Sequence, residues 1–310
     1  MDDIKLLNKN CIAIIVACIL GIVYSIVTFS IKTPVLADEM IDSAKSLDAE
    51  GLLIPLPTGT SFEDAAISTS LFSLKLIIPG DDKDFYYQNT LKGNSANISG
   101  LSYGYIDNHH VFDVGFEAAS DCLVSEQEGE ISVKIEPILE KYDQIVVIDP
   151  LHGGEDTGTV SYSIIESYVN YNAAVALMEK LREAGIGAYI TRGINENPSK
   201  EERLDYVNQL DANLYIGISC NADKKTRVSS GTEVLLSSEL NSVYTALSKE
   251  NAFDIKQTNF LDRDLDVPQM DIYLGYLTNK ADALMLSDKD EVDNRMSVFA
   301  KAIEESEVLK

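Results

Sequence analysis

Positively charged residues are scarce in this chain of 310 residues: 25 Lys and Arg stand against 50 Asp and Glu, which gives a formal net charge of −25. No polybasic stretch is present that could neutralise phosphate groups and release their counterions. Nucleic acid and anionic membrane surfaces are therefore excluded as partners. A phosphate loop and a dinucleotide fingerprint are also absent, because the two glycines after His152 lack the spacing that either motif needs.

Cysteine and histidine are also scarce, with four and three residues. Of the four cysteines, two fall inside an apolar run near the N-terminus, so Cys122 and Cys220 could form one bridge at most and a disulfide scaffold is excluded. The three histidines are His109, His110 and His152. His109 and His110 follow Asp107-Asn108 in an expected hairpin turn, and adjacent residues of a strand project to opposite faces. A two-histidine metal site in the C-terminal half would therefore need a histidine from another domain.

The longest apolar segment covers residues 11–31 and contains no charged residue. Its length matches the ~20 residues that cross a bilayer as a helix, which predicts a single-pass transmembrane anchor within residues 1–37. A cleaved secretory signal is the alternative, since Val35-Leu36-Ala37 resembles a small-residue cleavage site. The apolar run nevertheless exceeds the ~7–15 residues typical of signal peptides, which favours the anchor. The polar segment 38–49 is expected to form a tether.

The remainder of the chain is long enough for two folded domains, and 45% of all residues are hydrophobic. Residues 50–140 contain short β-like runs separated by turn residues, which predicts a small all-β domain. From Ile145 onward strands alternate with helices, the pattern of an α/β domain with a largely parallel sheet covered by helices. This second domain is expected to span residues 141–310. A capping box from Ser199 to Glu202 predicts where one of its helices begins.

Four segments of the second domain each carry one side chain that can do chemistry, at the end of an apolar strand or the start of a helix. They are Ile145-Val-Val-Ile-Asp-Pro-Leu-His152-Gly-Gly, Ile165-Glu166, Ile216-Gly-Ile-Ser-Cys220-Asn-Ala and Ile272-Tyr273-Leu-Gly-Tyr-Leu-Thr-Asn279. In open α/β sheets, ligands collect at the strand ends. The order and contexts of the four segments resemble the zinc-dependent N-acetylmuramoyl-L-alanine amidases, the type 3 peptidoglycan amidases, over roughly residues 144–310.

The resemblance implies an amidase-like fold with a zinc site. Family members carry the first ligand in a Gly-His-Gly-Gly loop and the second in a glutamate that opens the next helix; His152 and Glu166 stand in these places. The third ligand is the histidine of a Ser-Ile-His-Ala-Asn-like strand end, and Cys220 is assigned to that position. The general base is the glutamate of a Val-Glu-Leu-Gly-Phe segment, where this chain has Tyr273. Two of the four key positions thus depart from the family.

Cys220 leaves zinc binding open. Zinc accepts Cys, His and carboxylate ligands, and His152, Glu166 and Cys220 would give the three protein ligands that a catalytic site needs. A thiolate would, however, cancel the net positive charge that makes metal-bound water acidic. The alternative interpretation of Cys220 is a small buried hydrophobic residue.

Tyr273 is the larger change. A phenol with a pKa of about 10 is a neutral donor at pH 7 and cannot take a proton from an attacking water, and losing general acid–base help typically costs about 10²–10⁴ in rate. Asp271, on the same side of a strand, and Glu155, near His152 in sequence, are the candidate substitutes for the base. Alternatively, Tyr273 packs as an ordinary aromatic strand residue.

The apolar run 11–31 and the family resemblance together predict a membrane-anchored protein of a bacterial cell envelope, with the bulk of the chain outside the cytoplasm. The changes at Cys220 and Tyr273 bear on its activity. Its amidase-like domain is expected to bind peptidoglycan or a partner protein without cleaving it. Because the chain and the wall polymers are both acidic, binding would require a shaped groove. Two alternatives stay open: an active zinc amidase that uses His152, Glu166 and Cys220 to cleave the amide between muramic acid and L-alanine, and a purely structural envelope protein that assembles through its β-rich domain.

Overall fold

The computed structural model describes residues 51–93, 97–250, 253–258 and 265–306. The chain divides into two compact units between Pro137 and Ile138, three residues before the expected boundary. Within the described residues, no helix is both long and apolar enough to cross a membrane. The expected anchor and tether lie outside the described residues.

The described part of the first unit, residues 51–93 and 97–137, consists of two four-stranded antiparallel sheets. Its strands are β1 (Leu52–Pro55), β2 (Ala66–Thr69), β3 (Ser73–Pro79), β4 (Lys92–Gly93), β5 (Ile98–Ile106), β6 (His109–Phe116), β7 (Ser120–Gln127) and β8 (Glu130–Pro137), with a 3-10 turn at Phe62–Asp64 and one short helix, α1 (Phe85–Gln88). The strand orders are β4-β1-β8-β7 and β2-β3-β6-β5. Both sheets contribute to one hydrophobic core, in which Leu76, Phe112 and Val133 are fully buried. Along β3 every second residue is buried, as in a strand with one face in a core.

The histidine hairpin of the first unit differs from the expectation in one respect. Asp107 and Asn108 form the turn with φ of 48° and 60°, the positive values that a two-residue hairpin turn requires. His109 and His110 belong to strand β6, however, and not to the turn. His109 is exposed and His110 is completely buried, so the two imidazoles do project to opposite faces.

The second unit alternates strands and helices. Its strands are β9 (Ile145–Pro150), β10 (Val160–Ser161), β11 (Ile164–Ile165), β12 (Gly187–Ile190), β13 (Leu214–Asn221), β14 (Thr232–Leu236), β15 (Phe253–Gln257) and β16 (Gln269–Tyr276), and its helices are α2 (Ile138–Lys141), α3 (Glu166–Glu183), α4 (Lys200–Gln209), α5 (Asn241–Leu247), α6 (Lys280–Leu286) and α7 (Lys289–Glu304). Strands β10 and β11 form a separate hairpin, and the other six form one sheet in the order β12-β9-β13-β16-β14-β15. The α/β sheet is confirmed, but it is mixed, because β14 runs antiparallel to β16.

Both faces of this sheet are used. Val146, Ile148 and Ile216 lie in a hydrophobic core that also contains residues of α3 and α7. On the opposite face Asp149 of β9 pairs with Arg203 of α4. Helix α4 begins at the predicted capping box: the Ser199 hydroxyl accepts from the backbone N–H of Glu202 at 3.2 Å, and the Glu202 carboxylate accepts from the backbone N–H of Ser199 at 2.7 Å.

The order of strands reverses next to β9. The chain leaves β9, crosses through α3 to β12 on one side, and returns through α4 to β13 on the other side. Ligand sites of open α/β sheets lie at such a reversal, outside the carboxyl ends of the strands. His152 lies two residues after the end of β9 and Cys220 is the penultimate residue of β13, so the topology brings two of the predicted site residues to this crevice.

Candidate functional site

The loop after β9 has an unusual backbone. His152, Gly153 and Gly154 all have positive φ, of 64°, 141° and 53°. A left-handed conformation costs a residue with a Cβ roughly 1–2 kcal/mol, so His152 must be held by its surroundings. Gly153 cannot be replaced without a shift, because a Cβ there would lie 2.1 Å from the carbonyl oxygen of Glu196.

The His152 ring is oriented by two carboxylates. Nδ1 lies 2.8 Å from Oδ2 of Asp156, and Nε2 lies 3.5 Å from Oε1 of Glu166. Hydrogen bonds from His152 and from the backbone N–H of Gly158 lower the pKa of Asp156, which is therefore an ionised acceptor. Asp156 thus orients the ring from the Nδ1 side, as in the carboxylate–histidine pairs behind many metal ligands, and Nε2 faces the Glu166 carboxylate. Asp156 was missed at the sequence level, although its position four residues after His152 could have indicated it.

Glu166 is the first residue of α3 and is only 3% exposed. Its Oε2 accepts from the backbone N–H of Thr159 at 2.8 Å, and its Oε1 accepts from the backbone N–H of Cys220 at 2.9 Å. Gly158, with φ of 63°, passes so close that a Cβ there would lie 2.8 Å from the Glu166 carboxylate. The carboxylate is thus fixed between the loop and the end of β13.

Cys220 occupies a different environment from the one its assigned role requires. Its thiol donates to Oδ1 of Asn170 at 3.5 Å, and the fully buried Asn170 donates in turn to the carbonyl of Leu151 at 2.9 Å. Burial, followed by the charges of Glu166 and Asp282, raises the pKa of Cys220 well above its usual value. The thiol faces α3 and belongs to the hydrophobic core, which favours the interpretation of Cys220 as a small core residue.

Strand register points to Ser219 as the counterpart of the family histidine. When the Asn of the family's Ser-Ile-His-Ala-Asn strand end is set on Asn221, the histidine falls on Ser219 and not on Cys220. Ser219 pairs with Tyr273 across β13 and β16, so both side chains share one face. Because successive strand residues alternate, a shift of one residue moves a side chain to the other face. Ser219 is therefore the alternative to Cys220 for the position of the family histidine.

A second carboxylate lies beside Tyr273. Glu233 of β14 pairs with Tyr273 of β16 in the antiparallel register. Its Oε1 accepts from the Tyr276 hydroxyl at 3.0 Å and its Oε2 accepts from the Asn221 amide at 3.1 Å. Burial, and next the hydrogen bond to Glu233, raises the pKa of Tyr276. Sequence reasoning could not find Glu233, because forty residues separate it from Tyr273 and only the strand pairing joins them.

The two candidate substitutes named from sequence occupy other positions. Asp271 shares the face of Tyr273 but pairs with Leu235, two residues farther from the carboxyl end of β16 than Tyr273 is. Glu155 is an exposed residue of the His152 loop. Neither is level with Tyr273 in the register, whereas Glu233 is.

The donor set meets only part of what a catalytic zinc requires. Two ligands of a tetrahedral zinc, each about 2.0–2.1 Å from the metal, lie roughly 3.3 Å apart, and the 3.5 Å between His152 Nε2 and Glu166 Oε1 is close to that separation. Ser219 offers only a hydroxyl, and the thiol of Cys220 bonds Asn170 of α3, so neither side chain supplies a third ligand. Across the described ranges, no three His, Cys, Asp or Glu side chains form a group that could hold a metal ion. The residues present therefore do not fit the three-ligand zinc site that the family implies.

A mixed α/β sheet with helices on both faces and a histidine–glutamate pair at its strand-order reversal defines a protein of the amidase class. The sequence profile of the N-acetylmuramoyl-L-alanine amidases matches residues 146–305, and the chain belongs to this family. It is similar to the uncharacterized protein YqiI of Bacillus subtilis (strain 168), with 29% identity over 161 residues that cover 47% of this chain and 76% of YqiI. It is also similar to the amidase LytC of the same organism, with 25% identity over 112 residues, or 36% of this chain and 23% of LytC.

Among solved structures, the chain is similar to the catalytic domain of the amidase CwlV from Bacillus (Paenibacillus) polymyxa var. colistinus. The sequence identity is 26%, the TM-score is 0.47, and the similarity covers 52% of this chain and 96% of that domain.

Proposed function

We propose that the second unit binds peptidoglycan and does not cleave it at a rate typical of an amidase. The observation that carries this proposal is that Ser219 and Tyr273 lie opposite each other in β13 and β16. With the family motif set on Asn221, the third metal ligand and the general base of the family would fall at these two positions. The hydroxyl of serine is not a usual zinc ligand, and the phenol of tyrosine is not a base at pH 7.

The loss of both groups affects the same step. In the family reaction a metal polarises the water and a carboxylate accepts its proton, so each function depends on the other. If only the general base is lost, the rate of hydrolysis is expected to fall by about 10²–10⁴. A metal bound by two protein ligands would in addition be weakly held, because a catalytic zinc has three.

Features needed for binding are present. His152 is oriented by Asp156 at 2.8 Å, and Glu166 is fixed by two backbone N–H groups. A cavity of about 520 Å³ lies beside the loop and is lined by His152, Asn197, Ser199, Lys200, Arg203 and Tyr215 among others. Its size is within the range of pockets that hold small ligands. These features support recognition of a segment of peptidoglycan by shape and hydrogen bonding. Recognition of this kind is needed because the chain and the wall polymers are both acidic and repel each other.

The cellular setting is part of the proposal. The uncharged run 11–31 would anchor the chain in the cell membrane, and the two units would then lie outside the cytoplasm, where peptidoglycan is found. Fractionation of cells tests the anchor: the protein should stay with membranes in high salt and be released by detergent. Release by salt alone would contradict it.

A second candidate function is a working metalloamidase. It is favoured by the spacing of His152 and Glu166 with Asp156 behind the ring, and by Glu233 as a carboxylate level with Tyr273. In that case Glu233 would accept the proton of the attacking water. Metal content and release of stem peptide, measured on the same sample of protein, separate this function from simple binding.

Sedimentation with purified sacculi tests the binding. The wild-type protein should sediment with sacculi, and His152→Asn, which tolerates the left-handed backbone, should weaken retention about tenfold. Glu155→Gln changes an exposed residue of the same loop and should leave retention unchanged. No retention of the wild type would contradict the proposal, and equal retention of His152→Asn would indicate a structural protein that binds through another surface.

A further inference from the structure

A buried network of charged groups lies under the His152 loop and reaches from α4 to the first turn of α3. Asp149, Arg192 and Arg203 are each less than a tenth exposed. Asp149 accepts hydrogen bonds from Arg203, from the Tyr215 hydroxyl and, at 2.6 Å, from the Thr191 hydroxyl. Burying two cations and one anion is expensive unless every group is bonded, so the arrangement must be closely satisfied.

The guanidinium of Arg203 bonds two backbone carbonyls at the start of the His152 loop. Nη1 donates to the carbonyl of Pro150 at 3.2 Å and Nη2 donates to the carbonyl of His152 at 3.3 Å. The same Nη2 donates to Oδ1 of Asn197 at 3.0 Å, and Nε donates to the carbonyl of Pro198 at 3.0 Å. One side chain therefore ties the histidine loop to the segment that precedes α4.

Arg192 holds the other end of the candidate site. Its Nε donates to the carbonyl of Pro150 at 2.8 Å, and its Nη2 donates to the carbonyl of Ser167 at 2.9 Å. Ser167 directly follows Glu166 in the first turn of α3. Arg192 thus links the end of β9 to the residue next to Glu166, and Arg203 links it to His152 itself.

We propose that Arg203 is a positioning residue of the candidate site, which keeps His152 in its left-handed backbone conformation and so keeps Nε2 directed at Glu166. This inference rests on the proposed binding function, because it assigns to Arg203 a part in the recognition that His152 provides. The fork of a guanidinium reaches Asp149, Pro150 and His152 at once, whereas the single ammonium of a lysine cannot bond all three in the same geometry. Arg203→Lys should therefore keep the positive charge at residue 203 but no longer hold the His152 ring in its orientation.

Two measurements on each variant separate positioning from stability. Nitrogen-15 NMR of the imidazole reports which ring nitrogen of His152 carries the proton, and sedimentation with sacculi reports binding. In the wild type we expect one sharp set of ring signals, because Asp156 and Glu166 hold the imidazole in one orientation. In Arg203→Lys we expect averaged ring signals and a dissociation constant for sacculi that is raised about tenfold, at a temperature where circular dichroism shows the fold intact.

Matched variants complete the test. Arg182→Lys alters another arginine that bonds a backbone carbonyl, that of Ala188 at 2.9 Å, and should change neither readout. Tyr215→Phe removes a bond to Asp149 and should lower the melting temperature without moving the His152 signals. Asn197→Ala removes one acceptor of Nη2 at an exposed residue and should leave the unit folded. A smaller shift of the same His152 signals is expected even if Arg203→Lys does not fold.

Binding to sacculi tests the proposed function, and the His152 ring signals test the role of Arg203. If the wild type does not bind sacculi, the binding function is wrong, while the ring signals still test the positioning. If Arg203→Lys and Asn197→Ala leave the His152 signals unchanged, Arg203 is not a positioning residue. The same conclusion follows if Tyr215→Phe shifts those signals as far as Arg203→Lys does.

Discussion

Ser219 and Tyr273 are direct partners in adjacent parallel strands, and their side chains lie on the same face of the sheet. Cys220, the next residue along β13, faces the opposite way and bonds Asn170 of α3. This register separates two ways of restoring a family-like site, because a histidine introduced at residue 219 and one introduced at residue 220 would emerge on opposite faces.

The double substitution Ser219→His with Tyr273→Glu should therefore produce zinc binding and amidase activity. The new imidazole would complete a three-ligand set with His152 and Glu166, and the new carboxylate would recover the ~10²–10⁴ in rate that general base catalysis supplies. Bound zinc is measured by elemental analysis and activity by the release of stem peptide. The control, Cys220→His with Tyr273→Glu, should bind no additional zinc; if it gains activity and the first variant does not, the register assignment is wrong.

Glu166 should contribute to the stability of the second unit as well as to the site. Glu166→Ala would leave the buried N–H of Cys220 and the partly buried N–H of Thr159 without this acceptor, and a buried unsatisfied donor costs about 1–3 kcal/mol. We expect the free energy of unfolding to fall by about 2–4 kcal/mol in a urea titration. Glu155→Ala, on the exposed part of the same loop, should change it by less than ~0.5 kcal/mol. Equal effects of the two substitutions would mean that the Glu166 contacts do not form.

His110 should make the first unit sensitive to acid. It is fully buried, its Nε2 bonds no described residue, and Tyr86, Tyr103 and Tyr105 surround its ring. Burial, as the largest cause, lowers the pKa of His110 from 6.5, with His109 acting in the same direction and Asp82 against it.

The direction of the pH effect follows from that lowered pKa. The unfolded chain binds a proton near pH 6.5 and the folded unit binds it only at lower pH, so stability is full above pH ~6.5 and falls as the pH drops below that value. Near-UV circular dichroism of the tyrosine cluster, followed during heating at pH 7.5 and pH 5, should show a lower melting temperature in acid. His110→Phe should reduce the difference and His109→Ala, an exposed control, should not. A difference that persists in His110→Phe would assign the effect to other groups.

Both described cysteines should be slow to react with thiol reagents in the folded protein. Burial raises the pKa of Cys122 to about 11 and that of Cys220 well above its usual range, and the thiolate is the reactive form. Labelling with a thiol-specific chromogen should be slow at pH 8 and become fast in urea. Fast labelling of Cys220 in the native state would show an accessible thiolate, which would reopen its role as a metal ligand.

Much of the architecture could be predicted from local patterns. The alternation of strands and helices after Ile145 predicted the α/β unit, and the capping box at Ser199 predicted where α4 begins, since both depend on residues close in sequence. The antiparallel position of β14 was missed because its direction depends on pairing with β16, which local periodicity does not encode.

The candidate site could be predicted only where one residue and its neighbours were enough. His152 and Glu166 lie together as expected, and they were found from their immediate contexts. The position of Ser219 depends on which face of β13 each residue occupies, and Glu233 enters the site only through the strand pairing. Arg192 and Arg203 were missed because arginine side chains usually lie exposed on the protein surface. Only the fold shows that both are buried under the loop.

The most direct test of the central claim is a product measurement on the unmodified protein. Purified protein and peptidoglycan are incubated with added zinc, and released stem peptides are quantified by liquid chromatography and mass spectrometry beside an active family member at equal concentration. We predict that the protein stays bound to the peptidoglycan while product formation is at least ~10²-fold slower than that of the active enzyme. Product release at a comparable rate would contradict the claim that Ser219 and Tyr273 have removed the hydrolytic function.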